Sequence, residues 1–338
     1  MTVRELFAAL DNDGFTPDDL PRAMLWHGDE EWSKQRALER LTARCIPEGF
    51  EALNFNRFEE NAAVADIIAA CEAVPAMAAA RIVVARDPAV LCAGKPREAD
   101  AEMLAGYLSN VPPETLLILY CRGAADARRK VYKAAGERAT VRFDYLDEAQ
   151  ASRWVMRRAQ EQGGGIELKA VEALIARVGC ALTPLAAEID KLLAYAGRRN
   201  VAPADIEALV MPSLESSAFA VADAVLARQQ EEAWRILHER VAQGDSRVAM
   251  LAMLGRAIRQ AYEASLMMAD RAREADIAAA LGISVYAVRH VVRRAGMRKT
   301  AWWRAAFEAA LKAEDDIKSG IQREEYAFDA LMGYLMRE

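Results

Sequence analysis

The sequence predicts an α/β domain with a parallel sheet, followed by two all-helical domains. Short apolar runs alternate with helical patterns over residues 1–142, and the strand pattern disappears from residue 143 onward. Glycine and proline breakers then divide the helical remainder of the 338-residue chain. The predicted domain boundaries are therefore 1–142, 143–211 and 212–338.

Five apolar runs in the first domain are predicted to be strands. Runs such as Ile82-Val83-Val84-Ala85 are apolar throughout, which is typical of strands buried on both faces of a parallel sheet. The predicted strands cover 24–27, 53–58, 81–86, 116–121 and 140–143. Helices are predicted between them near 31–45, 61–73, 98–109 and 126–136, so that they cover the sheet.

Caps and breakers predict the helices of the rest of the chain. Thr183 is predicted to cap a helix that has Pro184 in its first turn and ends at Gly197. The other helices of the second domain are predicted at 147–162, 168–178 and 203–210. Amphipathic, alanine-rich runs predict the third domain's helices at 217–227, 230–243, 246–268, 274–281, 284–295, 300–318 and 322–337.

The segment Gly28-Asp29-Glu30-Glu31-Trp32-Ser33-Lys34 follows the first predicted strand, where a phosphate-binding loop would lie. Such a loop needs Gly-Lys-Ser/Thr at its end to hold phosphates, and this segment lacks it. Its three consecutive carboxylates would repel a triphosphate. The sequence therefore predicts a nucleotide-binding architecture that does not bind nucleotide.

Composition excludes several classes of protein. Apolar residues make up 53% of the chain, enough for a large core, and the net charge of −6 argues against a protein that coats nucleic acid indiscriminately. The five cysteines form no C-x-x-C pair, which predicts reduced thiols in a cytoplasmic protein and no zinc site. No signal peptide and no membrane span is expected. No metal, cofactor or catalytic residue is predicted.

Five segments, in their order along the chain, carry a resemblance to a known family. They are His27–Trp32, the basic segment Asp126–Lys133, the pattern from Leu185 to Tyr195 with Glu188 and Lys191, Leu251–Gln260, and Asp316–Gly320. Together they resemble the delta subunit of the bacterial DNA polymerase III clamp loader. The resemblance covers nearly the whole chain.

The resemblance implies an AAA+-like fold with a RecA-type parallel sheet domain, a small helical lid and a C-terminal helical collar. It implies a subunit without chemistry of its own, which binds the ring-shaped sliding clamp, the beta subunit, and opens it for loading onto primer–template DNA. It also implies that the collar packs against the gamma/tau and delta prime subunits. Members of the family do not bind ATP, which agrees with the altered loop.

The family's clamp-gripping element is a bulky apolar pair just before the third strand. Here the pair positions fall on Ala76 and Met77, so that alanine replaces one large side chain at a cost of ~1–2 kcal/mol of binding free energy. Val74 is the candidate that compensates, and methionine suits an irregular apolar pocket. The structural alternative is a helix end that packs on the sheet.

Residues 277–307 contain no aspartate or glutamate but carry basic and aromatic side chains, a combination that suits contact with phosphates and bases. The candidates for DNA binding are Tyr286, Arg289, Arg293, Arg298 and Lys299. A solvated basic helix face is the alternative interpretation.

Two other functions stay open at this point. Ala278, Gly282 and Val288 have the spacing of a helix-turn-helix, which would suit a DNA-binding regulator. The altered loop at Gly28 could also belong to an active AAA+ ATPase with an unusual phosphate site. A nucleotide titration tests for the active ATPase. A comparison of binding to random duplex and to primer–template DNA tests for the DNA-binding regulator.

Overall fold

The computed structural model describes residues 1–92, 97–283 and 285–336, apart from the side chains of Glu215 and of residues 285–287. These residues form two compact units, Met1–Tyr145 and Leu146–Glu338. The second unit contains both predicted helical domains, and the division of the chain into three domains stays a prediction.

The first unit is built on a five-stranded sheet with the order β2-β3-β4-β1-β5, in which all neighbouring strands are parallel. The strands are β1 (Ala23–His27), β2 (Phe55–Phe58), β3 (Arg81–Arg86), β4 (Thr115–Tyr120) and β5 (Thr140–Arg142). β1 lies between β4 and β5, so the segment that follows it leaves from the interior of the sheet. The expectation of a parallel sheet with helices is confirmed.

Helices cover both faces of this sheet, because alternate residues of each buried strand point to opposite sides. Met24 and Trp26 pack with α1 and α2 on one face, while Leu25 packs with α4, α5 and α6 on the other. The helices are α1 (Val3–Leu10), α2 (Glu31–Cys45), α3 (Glu51–Asn54), α4 (Val64–Cys71), α5 (Glu98–Tyr107) and α6 (Lys130–Ala139).

Three details of this unit differ from the sequence prediction. Residues 53 and 54 are not strand, because α3 occupies Glu51–Asn54 and β2 begins at Phe55. Helix α6 begins at Lys130 rather than at 126. Helix α1 was not predicted, although Thr2 and Glu5 form a capping box at its start.

The second unit consists of eleven helices among the described residues. Helix α9 begins at Leu182 with Ala181 as its N-cap, so the prediction that Thr183 caps this helix is wrong. Gly197 ends it with φ +63°, as its lack of a side chain allows. The helices are α7 (Glu148–Glu161), α8 (Leu168–Val178), α9 (Leu182–Ala196), α10 (Pro203–Leu209), α11 (Leu214–Leu226), α12 (Gln230–Ala242), α13 (Arg247–Ala269), α14 (Glu274–Leu281), α15 (Val285–Gly296), α16 (Thr300–Lys318) and α17 (Glu324–Met336).

The core of the second unit is centred on the long helices α13 and α16. Small alanines, including Ala261 and Ala306, let these helices approach closely, and Trp303 fills the space beside them. The Trp303 indole N–H donates to the Ala295 carbonyl over 3.0 Å, so this buried ring keeps its polar atom satisfied. Within the part of the chain that the structure describes, no helix has the length and apolar character needed to cross a membrane.

Candidate functional site

The segment between α4 and β3, residues 73–80, is named the hook here because two apolar side chains project from it. Val74 is 81% exposed and Met77 is 79% exposed, whereas Ala76 between them is half-buried. Helix α4 ends at Cys71, so the hook is a loop and not a helix end. The three candidate clamp-binding residues thus lie on one loop with its two large side chains in solvent.

Buried groups outside the hook hold its backbone at Ala76. The Ala76 N–H donates to Asn54 Oδ1 over 2.7 Å, and Asn54 Nδ2 donates to the Ala76 carbonyl over 2.9 Å. Asn54 is fully buried, and its amide also donates to the Phe50 carbonyl over 3.0 Å. Ala76 is therefore paired through both of its backbone polar groups, much as a strand residue would be.

The two ends of the hook are fixed as well. Arg81 lies at the start of β3, and its Nε donates to the Ala73 carbonyl over 2.8 Å. Its Nη1 donates to Asn56 Oδ1 over 2.6 Å, which orients the guanidinium. At the other end the Ala79 N–H donates to the Cys45 carbonyl over 2.9 Å. The hook is consequently anchored at three points along its length.

Met77 has a backbone φ of +55°, in the left-handed region. This conformation costs a non-glycine residue about 1–2 kcal/mol, and loops that need it usually recruit glycine or asparagine. A bulky apolar residue at such a position, with its side chain exposed, is better explained by a contact made through that side chain than by folding.

The segment that follows β1, residues 28–34, is named the strand-1 loop. Lys34 in α2 is fully buried, and its Nζ donates to the carbonyls of Gly28 and Cys121, each over 2.7 Å. The ammonium also forms an ion pair with Glu31 and lies 4.9 Å from the centre of the Tyr120 ring. An ammonium has three N–H donors, so all of them are engaged inside the protein.

The acidic residues of the strand-1 loop also turn inward. Glu30 is buried, and its carboxylate accepts a hydrogen bond from the Trp32 N–H over 3.1 Å at the start of α2. The Tyr120 hydroxyl donates to Glu31 over 2.8 Å. Burial and this hydrogen bond raise the pKa of Tyr120 well above its usual range. Two of the three carboxylates are thus structural.

Gly28 makes the close approach of the strand-1 loop to β5 possible. Its φ is +115°, and a Cβ built on it would lie 2.1 Å from the Phe143 carbonyl oxygen. The Gly28 N–H donates to the Gly123 carbonyl over 2.8 Å, and the Glu30 N–H donates to the Phe143 carbonyl over 3.0 Å. Both of these backbone donors point at protein carbonyls, so neither is available to a phosphate.

The predicted DNA-binding residues lie on α15 and on the turn that precedes α16. Arg289, Arg293 and Lys299 are exposed, and Arg289 lies 3.7 Å from Glu274. The Arg298 guanidinium is half-buried, 5.2 Å from the centre of the Trp302 ring. The side chain of Tyr286 lies outside the described residues.

One arginine of this region is structural. The Arg294 guanidinium is buried, pairs with both carboxylate oxygens of Asp223 and lies 4.5 Å from the centre of the Phe219 ring. It ties α15 to α11 and presents no charge to solvent. The exposed positive charge of α15 therefore comes from its other arginines.

The helix-turn-helix spacing is accounted for by packing of α14 on α15. Ala278 and Val288 are buried in one apolar cluster, and Gly282 ends α14 in the left-handed conformation with φ +64°. These are the roles that the spacing requires, and a pair of packed helices needs them whether or not DNA is bound.

Sequence reasoning missed three residues that shape these loops. Asn54 falls within the predicted strand 53–58, and the sequence assigns no partner to Arg81 or to Lys34. A lysine at the fourth position of the helix that follows an altered phosphate loop indicates that its ammonium is held by the protein itself rather than by a phosphate. Nothing in the sequence around Asn54 indicates its partner 22 residues away.

Comparisons with known proteins agree with these observations. Residues 25–143 match the family model described as "DNA polymerase III, delta subunit", and residues 215–335 match the one described as "DNA polymerase III delta subunit, C-terminal domain". The DNA polymerase III subunit delta of Bacillus subtilis is 21% identical over 318 residues, which cover 92% of each chain.

A solved structure shares the fold. The Bacillus subtilis DNA clamp loader delta protein superposes with a TM-score of 0.71 at 20% identity, over 99% of this chain and 100% of that chain. The AAA+-like fold expected from the sequence is thereby confirmed.

Proposed function

Because this chain belongs to the family of DNA polymerase III delta subunits, we propose that it binds the sliding clamp and opens its ring for loading onto primer–template DNA. The single observation that most supports this proposal is the hook, where Val74 and Met77 are exposed on a firmly held backbone. Apolar side chains displayed in this way suit insertion into an apolar pocket of a partner.

The apolar surface of the hook is large enough to contribute substantially to the free energy of binding the clamp. Burial of a valine or methionine side chain contributes about 1.5–3 kcal/mol when it leaves water completely. Val74 and Met77 start from exposures of 81% and 79%, so most of that free energy is available on binding. Ala76 contributes mainly by its small size, which lets the backbone approach the partner.

Ring opening requires no catalytic residue. A protein that binds the open clamp more tightly than the closed clamp shifts the population toward the open ring, by the ratio of the two affinities. The contact made by the hook contributes to this difference in affinity between the open and the closed clamp. The rest of the difference comes from surface that only the open ring presents.

The strand-1 loop supports a subunit that works without ATP. Lys34 is buried and held by two carbonyls and by Glu31, and the backbone donors of Gly28 and Glu30 already have protein acceptors. An equilibrium titration with ATP and Mg²⁺ is expected to show no binding at millimolar concentration. Saturable binding would favour the active ATPase instead.

Residues 212–338 are proposed to pack as a collar with the gamma/tau and delta prime subunits. Ile321 and Tyr326 are large side chains that stay 69% and 62% exposed in the isolated chain. Exposed side chains of this size are typical of surfaces that a partner covers.

Primer–template DNA is proposed to contact the exposed charges of α15 and the turn after it. Arg293 and Lys299 can meet phosphates because their side chains face solvent, and exposed Arg289 would exchange its pair with Glu274 for a phosphate. Each phosphate contact removed lowers the slope of log affinity against log salt by about 0.7–0.9. Neutralising Arg293 and Lys299 together in the assembled loader is expected to lower that slope by roughly 1.5, and an unchanged slope would remove this surface from the proposal.

The clamp contact is tested by an equilibrium titration of the full chain with the sliding clamp of the same organism. The double substitution Val74→Ala and Met77→Ala is expected to weaken binding about 100-fold, since two buried apolar side chains are shortened. Met103→Ala is the matched control, because Met103 is also an exposed methionine of the first unit. Equal affinities for the double variant, the control and the unaltered chain would contradict the proposal.

A further inference from the structure

Asn54 is the most completely engaged polar side chain near the hook. It lies in α3, outside the hook and fully buried, yet it bridges both backbone polar groups of Ala76. Its third hydrogen bond, to the Phe50 carbonyl, fixes the amide plane within its own helix. Because this side chain is fixed in α3, it also fixes the backbone in the middle of the hook relative to α3.

The strained residue lies immediately after this anchor. Met77 is in the left-handed region at φ +55°, one residue beyond the position that Asn54 fixes. Arg81 holds the carbonyl of Ala73 on the other side. A loop without these anchors would relax toward conformations in which the Met77 backbone is extended, and its side chain would then leave the direction it has here.

We propose that Asn54 is a positioning residue for the contact with the sliding clamp: its amide keeps the hook in the one conformation in which Val74 and Met77 project together. The inference rests on the proposed function. The advantage is preorganisation, because a loop that already has its bound conformation loses less freedom on binding. The affinity of a loop that is only partly in that conformation falls in proportion to the populated fraction.

Arg81 supports the same arrangement from the β3 side. Its guanidinium is buried and spans Asn56 and the carbonyl of Ala73. Asn54 and Arg81 therefore act on two different points of the hook, and the Asn54 side chain has no surface exposed to a partner. A loss of affinity on removal of Asn54 must then come through the hook.

The test is a double-substitution cycle measured by equilibrium titration of the full chain with its sliding clamp. Asn54→Ala is expected to weaken binding about tenfold in the unaltered chain, if the competent fraction falls to roughly one tenth. In a chain that already carries Val74→Ala and Met77→Ala, the same substitution is expected to change affinity less than about twofold, since both side chains that it positions are gone.

Two further measurements separate positioning from a loss of folding. Asn54→Asp keeps the size of the side chain but removes the donor to the Ala76 carbonyl, and it is expected to weaken binding in the same direction. Amide hydrogen exchange at Ala76 should accelerate in Asn54→Ala, which removes the acceptor of its N–H, while exchange in β3 and β4 stays slow. Asn110→Ala is the matched control, because Asn110 also bonds a backbone carbonyl in this unit, that of Gly106.

The outcomes distinguish the inference from the proposed function. If Met77→Ala weakens binding and Asn54→Ala does not, the inference is overturned while the proposed function stands. If Asn54→Ala costs as much affinity in the Val74→Ala, Met77→Ala background as in the unaltered chain, positioning through these two side chains is also overturned. If Met77→Ala itself leaves affinity unchanged, the hook is not the clamp contact and both fail.

Discussion

Two loops of the first unit are built in opposite ways. The strand-1 loop turns its charged groups inward, where Lys34 and Glu30 find partners in the protein's own backbone. The hook satisfies its backbone with Asn54 and Arg81 and leaves Val74 and Met77 in solvent. The first loop thus directs most of its charged groups into the protein, while the second displays two large apolar side chains to solvent.

The two loops also differ in their place relative to the sheet. Lys34 of the strand-1 loop links the ends of β1 and β4 through the carbonyls of Gly28 and Cys121. The hook, where we propose the clamp contact, lies at the other end of the sheet strands, just before β3. Both loops contain a residue with a positive φ. In the strand-1 loop that residue is Gly28, which adopts the conformation without strain, whereas in the hook it is Met77.

The largest effect is expected for Gly28→Ala. The new Cβ would lie 2.1 Å from the Phe143 carbonyl oxygen, and alanine would have to adopt φ +115°. Both penalties act in the core, so the free energy of unfolding of the first unit should fall by about 4 kcal/mol. Hydrogen exchange in β1 and β5 measures this loss of stability. Gly106→Ala on α5 is the control, because a Cβ at Gly106 would meet nothing within 4 Å. A stable Gly28→Ala protein would mean that the strand-1 loop is not tightly packed.

An effect of similar size is expected for Lys34→Met. Methionine keeps the size of the side chain but leaves two carbonyls and Glu31 without their buried cation. Removing one partner of a buried ion pair destabilises a protein by about 3–5 kcal/mol.

The free energy of unfolding of the first unit, obtained from urea titrations followed by hydrogen exchange, measures the effect of Lys34→Met. Lys318→Met is the control, since Lys318 forms an exposed pair with Glu314 on α16 and should cost at most about 0.5 kcal/mol. If the two substitutions cost the same, Lys34 does not hold the loop.

Met77→Gly separates the contribution of Met77 to folding from its contribution to clamp binding. Glycine removes the cost of the left-handed backbone, about 1–2 kcal/mol, and loses roughly 0.5–1 kcal/mol through the entropy of the unfolded chain. Unfolding stability should therefore stay equal or rise by up to about 1.5 kcal/mol. Clamp affinity should nevertheless fall about tenfold or more, because the apolar side chain is gone. Loss of stability together with retained affinity would reverse the roles assigned to this residue.

The smallest effect concerns pH and His27, the last residue of β1. Burial lowers the pKa of its imidazole, Arg142 and Lys34 lower it further, and Asp144 opposes them. The folded protein thus favours the neutral ring, whereas the unfolded chain takes up a proton near pH 6.5. Stability from this group is present above about pH 6.5 and is lost as pH falls through the lowered pKa.

His27→Gln should flatten the dependence of unfolding stability on pH between about 5 and 8, where carboxylates stay ionised. The measurement is a series of urea titrations across that range, and His238→Gln, on α12 in the second unit, is the comparison variant. An equally steep curve for His27→Gln would show that another group causes the dependence.

Much of the fold was predictable from the sequence because its signals are local. The apolar strands of the sheet and helices such as α14 and α16 lie where their patterns place them. The first residues of β2 were misassigned because Leu53 and Asn54 continue an apolar alternation while the chain there closes a helical turn. Thr183 failed as a cap because the helix begins one residue earlier, at Leu182.

The candidate site was predictable only in part. The position of the hook followed from the family resemblance, and the exposure of Met77 agrees with a contact role. The anchors did not follow, because a hydrogen bond between Asn54 and Ala76 joins residues 22 apart and depends on how α3 packs. The role of Lys34 likewise depends on the Cys121 carbonyl, which only the folded sheet brings near.

The central claim is that the hook enters an apolar pocket of the sliding clamp. A photoreactive amino acid placed at position 77, and separately at position 103, tests it in the mixed complex, with the cross-linked clamp residues identified by mass spectrometry. The account predicts efficient cross-links from position 77 to apolar residues of one clamp pocket and none from position 103. A clamp complex that forms normally but gives no cross-link from position 77 would contradict it.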